Sequence, residues 1–344
     1  QGILAEAALT YASISGNPEH YRLAIEYCDK VINSGEYVLM PDFGDLWDIS
    51  KELDSYDEVI FRCVNVGDDQ SHGVGYPTWF NPNNLLGTSW DGRSGNEWLK
   101  VQPWFYDIYN KDEYVGDYRV EKSFHTRYQH QATGRECFTY PLLPTTADYV
   151  APRTAPYIAK YQDPNGYSFW GHGTDLYLLR MGEIYLIKAE AENELNGGPT
   201  TAAYDAFNAV RERARKADGN LRTTPENLAE GLTQEEFRMK VFHERGLELL
   251  AEGKRWYDLK RMKYTDGRTM YEYMFEDYIP SLPQGLPVWN RPNNRWDGGV
   301  NFPQSTFMDA QGNSLDIDVK KYLLVPIPAA EISVNTHMKQ NYGW

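Results

Sequence analysis

The stretch from Glu235 to Met262, EEFRMKVFHERGLELLAEGKRWYDLKRM, constrains this chain more than any other. Apolar or small residues recur at Met239, Phe242, Gly246, Leu249, Leu250, Gly253 and Tyr257, the three–four spacing of one helix face. A glycine costs an ordinary helix about 1 kcal/mol, so two of them on that face imply a close approach to its backbone. Charges are equally dense: Glu244, Arg245, Glu248, Glu252, Arg255, Asp258 and Arg261. Arg245–Glu248 and Glu252–Arg255 stand three apart, where opposite charges meet on one side of a helix. A solvated, ion-paired face would account for the charges alone. The interleaved glycines and aromatics predict instead a helix packed on both sides.

Composition narrows the function classes. At 344 residues the chain can bury a large core. Hydrophobic residues make up 41%, and no run of eighteen apolar residues offers a transmembrane helix. The formal charge of -15 repels phosphate backbones and argues against nucleic acid as a partner. Cys28, Cys63 and Cys137 form no C-x-x-C pair, which excludes a zinc ribbon or dithiol motif. Cys28 falls on a helix face and reads as a small buried hydrophobe. Neither an initiating Met nor a signal peptide is present.

Two helical hairpins are predicted. In residues 2–34, Leu4, Ala8 and Tyr11 mark a first helix and Gly16-Asn17-Pro18 breaks it. Ala24, Cys28, Val31 and Ile32 line a second, with Gly35 as its stop. In residues 175–217 the helix DLYLLRMGEIYLIKAEAENEL leads through Asn196-Gly197-Gly198-Pro199 into one carrying Ala203, Ala206, Phe207, Val210 and Ala214. Alanines at contact positions let paired helices approach, as in tetratricopeptide repeats of about 34 residues, although an ordinary antiparallel pair has the same pattern. Residues 65–170 and 264–320 are rich in Gly, Pro, Asn and aromatics and read as irregular loops, with a short helix over 102–109 and short strands between 138 and 161.

The candidate site is the loop VGYPTWFNPNNLLGTSWDGRSGNEWL, Val74 to Leu99. Tyr76, Trp79, Phe80, Trp90 and Trp98 supply flat apolar faces; Asn83, Asn84, Asp91, Arg93 and Asn96 supply planar polar groups. A sugar presents an apolar C–H face and a hydroxyl edge, and this mixture suits both. A second cluster around Trp289 and Trp296, with Asn290, Asn293, Asn294 and Arg295, has the same composition and is a candidate for the opposite wall of a groove. Each of these rings has a competing role as a pin that fixes its loop to the scaffold.

Other chemistries lack their residues. Glu244, Glu248 and Glu252 lie on one side of a helix, whereas a glycoside hydrolase needs two carboxyls facing each other across a bond. His243-Glu244 does not extend to H-E-x-x-H, and His125 and His130 are badly spaced for joint ligation. His172, between two glycines, reads as a turn residue. No nucleophile elbow, P-loop or dinucleotide fingerprint occurs, so no cofactor is expected. Asp309 to Ser314 lacks the spacing of a calcium loop and reads as a turn.

Glu244-Arg245, Glu248-Leu249, Glu252-Gly253, Arg255, Asp258-Leu259 and Arg261 reproduce the run E-R-x-x-E-L-x-x-E-G-x-R-x-x-D-L-x-R. Tyr322 to Pro328, then Glu331-Ile332 and Gln340-Asn341-Tyr342-Gly343-Trp344, form a second motif at the C-terminus. Together they resemble the SusD/RagB family of outer-membrane nutrient-binding lipoproteins. Asp117-Tyr118-Arg119 resembles that family's D-x-R and predicts a structural ion pair.

The resemblance implies one all-α, tetratricopeptide-like domain over 1–344 with long irregular loops and a few short strands. Its sub-regions are a helical hairpin (1–64), an aromatic loop region (65–170), a hairpin plus signature helix (171–262) and loops with the C-terminal segment (263–344). It implies capture of an oligosaccharide at the cell surface and delivery to a TonB-dependent, SusC-like outer-membrane transporter, without catalysis. It also implies an export signal, a lipid-bearing cysteine and further helices upstream, so the chain is expected to be N-terminally truncated and to lack the anchor that ties the full-length form to the membrane. An oligopeptide-binding member of the family, a repeat protein that binds a protein partner, and a hydrolase are the alternatives.

Overall fold

The computed structural model describes residues 1–67, 72–85, 95–166, 170–301, 319–322, 324–335 and 337–343. The helices are α1 (Gly2–Ser15), α2 (Pro18–Ile32), α3 (Glu52–Ser55), α4 (Tyr76–Phe80), α5 (Pro103–Tyr109), α6 (Tyr118–Ser123), α7 (Met181–Asn196), α8 (Thr201–Ala214), α9 (Gln234–Glu248), α10 (Arg255–Arg261), α11 (Met270–Tyr273), α12 (Ile279–Ser281), α13 (Val319–Tyr322) and α14 (Ala329–Val334). The strands are β1 (Val59–Cys63), β2 (Phe124–His125), β3 (Arg127–Gln129), β4 (Glu136–Phe138), β5 (Tyr157–Ile158), β6 (Leu176–Arg180), β7 (Lys216–Ala217), β8 (Asn220–Leu221), β9 (Gly285–Asn290) and β10 (Arg295–Asn301). Among the described residues the strands pair only two by two: β1–β6, β2–β5, β3–β4, β7–β8 and β9–β10. The architecture is helical and tetratricopeptide-like, with strand pairs fastening the loops.

Both hairpins form where their breakers stand. Gly16 closes α1 in the left-handed region at φ 69°, and the Asn17 side chain accepts a bond from the Glu19 N–H to start α2. Gly197 closes α7 at φ 67°, and Thr200 caps α8. Ala5, Leu9, Ala24 and Cys28 meet Ile184, Ile187 and Ala191 of α7 in one cluster, so small side chains do bring the hairpins together. On the other side of α7, Phe207 and Val210 of α8 pack on Phe237, Val241 and Phe242 of α9.

Two predicted helices are corrected. The segment 176–180 is a strand, β6, paired antiparallel with β1, and α7 begins only at Met181. Pairing with β1 wins over helical period there, and it delivers Arg180 to the core. The signature segment is not one helix. Helix α9 ends at Glu248 and α10 begins at Arg255, with Ala251 and Gly253 between them at φ 62° and 78°. Gly253 therefore serves a left-handed turn, not a helix contact. Gly246 has the predicted role: a Cβ there would stand 2.2 Å from the Tyr109 hydroxyl, which donates to the His243 carbonyl at 2.8 Å.

The break explains the charges. The carbonyl of Glu248 at the end of α9 has no helical partner, and Lys160 Nζ and Arg180 Nη2 donate to it at 2.9 and 2.6 Å. The Glu248 carboxylate binds Arg119 at 3.0 Å and Arg180 at 2.6 Å and also pairs with Arg213. Glu252 binds Lys160 and Arg180, Glu58 binds Arg180 and Arg213, and Glu244 binds Arg119 and Arg211. Asp117 forms the expected pair with Arg119 at 2.7 Å.

The local pairs read from sequence do not form. Arg245 binds Asp258 and Glu183 instead of Glu248. Arg255 stacks 3.5 Å from the Phe242 ring instead of meeting Glu252. Burial raises the Glu248 pKa, but Arg213, Arg180 and Arg119 outweigh it and hold the carboxyl far below the usual range. Apart from the half-buried Arg255, these charged side chains are buried, so the motif builds an ionic core and not a solvated face.

Candidate binding site

The loop that begins at Val74 is built on α4. Tyr76 and Phe80 lie on its inner side, stacked at 5.7 Å, and pack on the buried Tyr161. They are pins. Trp79 meets Tyr76 edge-on at 5.1 Å and is half-buried at the margin of the same core. The chain returns over 95–99 by bonding carbonyls at the end of α4: Asn96 N–H to Thr78 O at 2.7 Å, Glu97 N–H to Asn81 O at 3.1 Å and Leu99 N–H to Trp79 O at 3.1 Å. Gly95 makes this approach possible, since a Cβ there would stand 2.4 Å from the Asn81 oxygen. The result sets Trp98 over Trp79, ring centroids 6.3 Å apart and planes 25° apart.

A third indole completes the cluster. Trp170 meets Trp79 edge-on at 5.9 Å and Trp98 at 6.4 Å. Val74 and His172 exchange backbone bonds at 2.9 and 3.3 Å, which carries residues 170–173 to this loop. Trp98 is 58% exposed and Trp170 44%, so the cluster offers apolar ring surface to water. Sequence reasoning missed Trp170; its signal was a tryptophan beside two glycines in a loop.

A polar network flanks Trp98. The Glu97 carboxylate accepts from Asn83 N–H at 3.1 Å and Tyr157 O–H at 3.0 Å and pairs with Arg153 at 3.3 Å and Lys100 at 3.2 Å. Burial raises the Glu97 pKa, but the Asn83 N–H, Arg153 and Lys100 outweigh it and keep the carboxyl ionised. Arg153 also donates to the Asn83 side chain at 3.0 Å. Glu97, Lys100 and Arg153 were not singled out from sequence. Asn84 is half-buried beside Cys137, and Asn96 is exposed. Trp90, Asp91 and Arg93 lie outside the described residues, as do 309–314.

The second predicted cluster has a different fate. Residues 285–301 are not an irregular loop but the β9–β10 hairpin, in which Trp289 and Trp296 stand opposite each other across the ladder. Both rings pack edge-on against the buried Phe138. The Trp296 N–H donates to the Leu142 carbonyl at 2.7 Å, and the Trp289 N–H to the Tyr149 hydroxyl at 3.3 Å. Asn290 accepts the Asn293 N–H at 3.2 Å, and Asn294 takes the left-handed position at φ 48°, so these amides build the turn. Among the described residues no ring contact joins this cluster to Trp79, Trp98 and Trp170.

Among the described residues the three indoles present open ring surface. An open groove of about 570 Å³ runs beside β3–β4, lined by Arg127, Arg135 and Glu136, and another of about 500 Å³ lies between α1 and α10. Neither includes the indoles. His172, read from sequence as a turn residue, is fully buried beneath them.

Residues 57–344 match the SusD family, and the chain belongs to it. It is 32% identical over 268 residues to SusD-like protein P2 of Formosa agariphila, a match that takes in 75% of this chain and 50% of that protein. The chain thus spans about half the length of this curated relative. Among solved structures, a SusD homolog from Bacteroides thetaiotaomicron superposes over the whole chain and 63% of its own, with TM-score 0.69 and 20% identity. A laminarin-binding SusD-like protein covers 99% of this chain and 62% of its own, with TM-score 0.60 and 19% identity. At those identities the structural likeness speaks for the fold alone.

Proposed function

We propose that this chain binds a glycan at the cell surface through the Trp79–Trp98–Trp170 platform, for delivery to a SusC-like, TonB-dependent outer-membrane transporter. The carrying observation is that three clustered indoles, two of them well exposed, sit on a family scaffold whose relatives include a protein described as laminarin-binding. A sugar ring would lie on Trp98 or Trp170, and its hydroxyls would reach the ionised Glu97 and its partners Lys100 and Arg153. Trp90, Asp91 and Arg93 would extend the site from the same loop. The chain's own part is to bind and orient; the carboxylates on the signature motif are held in ion pairs inside the core, away from the platform.

Affinity electrophoresis and isothermal titration against a glycan panel test this reading, with Trp79→Ala, Trp98→Ala and Trp170→Ala in parallel. Loss of affinity of about tenfold or more for a bound glycan supports it. Full affinity in all three variants removes the site.

A further inference from the structure

We propose that His172 is the positioning residue of the indole platform: through Thr78 it fixes the angle between the segment that carries Trp79 and the segment that carries Trp170. The proposal rests on the glycan-binding reading above and names the device that shapes its surface.

His172 has no exposed surface, although it follows directly on the exposed Trp170-Gly171. Its Nε2 lies 3.1 Å from the Thr78 hydroxyl, and Thr78 immediately precedes Trp79 on α4. Its backbone N–H and carbonyl pair with Val74, two residues before α4 begins. Thus one residue holds this segment at two points, just before α4 and at its middle, while Trp170, two residues earlier, supplies the third indole. Asp163 and Asn65 hold the chain just beyond His172, at Gly173 and Thr174, but neither reaches α4. The Thr78 contact supplies the second point, and two points fix an angle.

The other edge of the imidazole is also enclosed. Asp163 holds the Gly173 N–H at 2.8 Å and the Asn165 N–H at 3.0 Å, and its carboxylate stands 3.7 Å from His172 Nδ1. Gly166 lies against the ring, where a Cβ would come within 2.2 Å of Nδ1. Nδ1 itself has no hydrogen-bond partner among the described residues. A buried ring walled in on one edge and tied to Thr78 on the other is expensive to keep unless its placement matters. The two segments also touch through glycines. A Cβ at Gly73 would meet Gly171 at 2.5 Å, and one at Gly75 would meet the Trp170 ring at 2.7 Å. With the backbones this close, a small change at His172 moves Trp170 relative to Trp79.

The test uses a readout that a merely structural residue would not move. Two rings 6.3 Å apart at 25° couple, so near-ultraviolet circular dichroism carries a Trp79–Trp98 signal with a contribution from Trp170; Trp98→Ala and Trp170→Ala define it. His172→Phe keeps the volume and removes Nε2. His172→Gln returns a polar group to reach Thr78. Thr78→Val removes the contact from the other side and serves if His172→Phe does not fold.

The expected result is loss of half or more of the indole signal in His172→Phe and Thr78→Val, unchanged far-ultraviolet spectra, and restoration in His172→Gln. Retention of laminarin in affinity electrophoresis falls in the same order. An unchanged indole signal in both His172→Phe and Thr78→Val overturns the proposal. If instead those variants lose the signal while Trp98→Ala and Trp170→Ala bind glycan as well as the unaltered chain, the positioning stands and the glycan-binding reading falls.

Discussion

Two segments of this chain share one composition and place their indoles differently. Both the 74–99 loop and the 285–301 hairpin mix tryptophan with asparagine, arginine and glycine. In the hairpin the indoles turn inward onto Phe138, their N–H groups donate to Leu142 and Tyr149, and the amides shape the turn. In the loop the inner face is already filled by Tyr76 and Phe80, so Trp98 and Trp170 are left outside. What separates them is backbone. A regular ladder places facing residues on one side of a sheet that the core can cover. A five-residue helix with a chain hooked onto its last carbonyls leaves its outer rings nowhere to go but the surface.

The contrast can be broken by substitution, beginning with the largest effect. Trp296→Ala should lower unfolding free energy by about 3 kcal/mol and leave the glycan affinity of the folded fraction intact. Denaturant titration beside calorimetry checks it, and lost affinity without lost stability would erase the distinction between the two segments. Acid comes next, because the scaffold and not the platform carries the relevant groups. Burial lowers the pKa of His125 and of His243 to about 4, with the cations Arg255 and Lys240 adding to the effect at His243. Both stay neutral in the folded protein while the unfolded chain takes up protons below its ordinary value near 6.5. Stability contributed by the neutral forms is therefore complete above pH 6.5 and falls as pH drops toward 4, by on the order of 1 kcal/mol per unit for each histidine. Chemical denaturation at pH 7.5, 6 and 5 reads this; a midpoint that does not move would sink it.

The platform itself gives a smaller change in free energy, and in a different quantity. Trp98→Ala should weaken glycan binding about tenfold, roughly 1.4 kcal/mol, while unfolding free energy moves by less than about 0.5 kcal/mol. Asn290→Ala should show the least: about 0.5–1 kcal/mol of stability through the lost turn bond, and no effect on binding. A binding defect from that change would mean that the hairpin reaches the ligand after all.

Much of the fold was legible because its signals are local. Gly16-Asn17-Pro18 and Asn196-Gly197-Gly198-Pro199 stop and start helices by backbone chemistry that needs no partner. The D-x-R pair at Asp117 and Arg119 is equally local. What sequence could not supply were the long-range partners. Arg180 looked helical because its competing strand lies more than a hundred residues earlier, at 59–63. The charges of the signature motif were assigned to neighbours three positions away, whereas they bind arginines brought from 119, 180 and 213. The candidate site was legible in part for the same reason. Composition found Trp79 and Trp98, but Trp170 joins them through a bridge between 74 and 172 that no spacing announces. Composition also promoted Trp289 and Trp296, whose N–H partners are visible only once the hairpin folds.

Glu248 accepts guanidinium groups from α6, from the end of β6 and from α8, three elements that are far apart along the chain. Those arginines also pair with Asp117 and Glu244, Glu58 and Glu252, so the buried charges balance fully only when all of these are in place. A nick between residues 119 and 248 that lets the pieces separate would break the pairs of Glu248 with Arg119, Arg180 or Arg213 and leave buried charge uncompensated, so the pieces are expected to hold their shape only together.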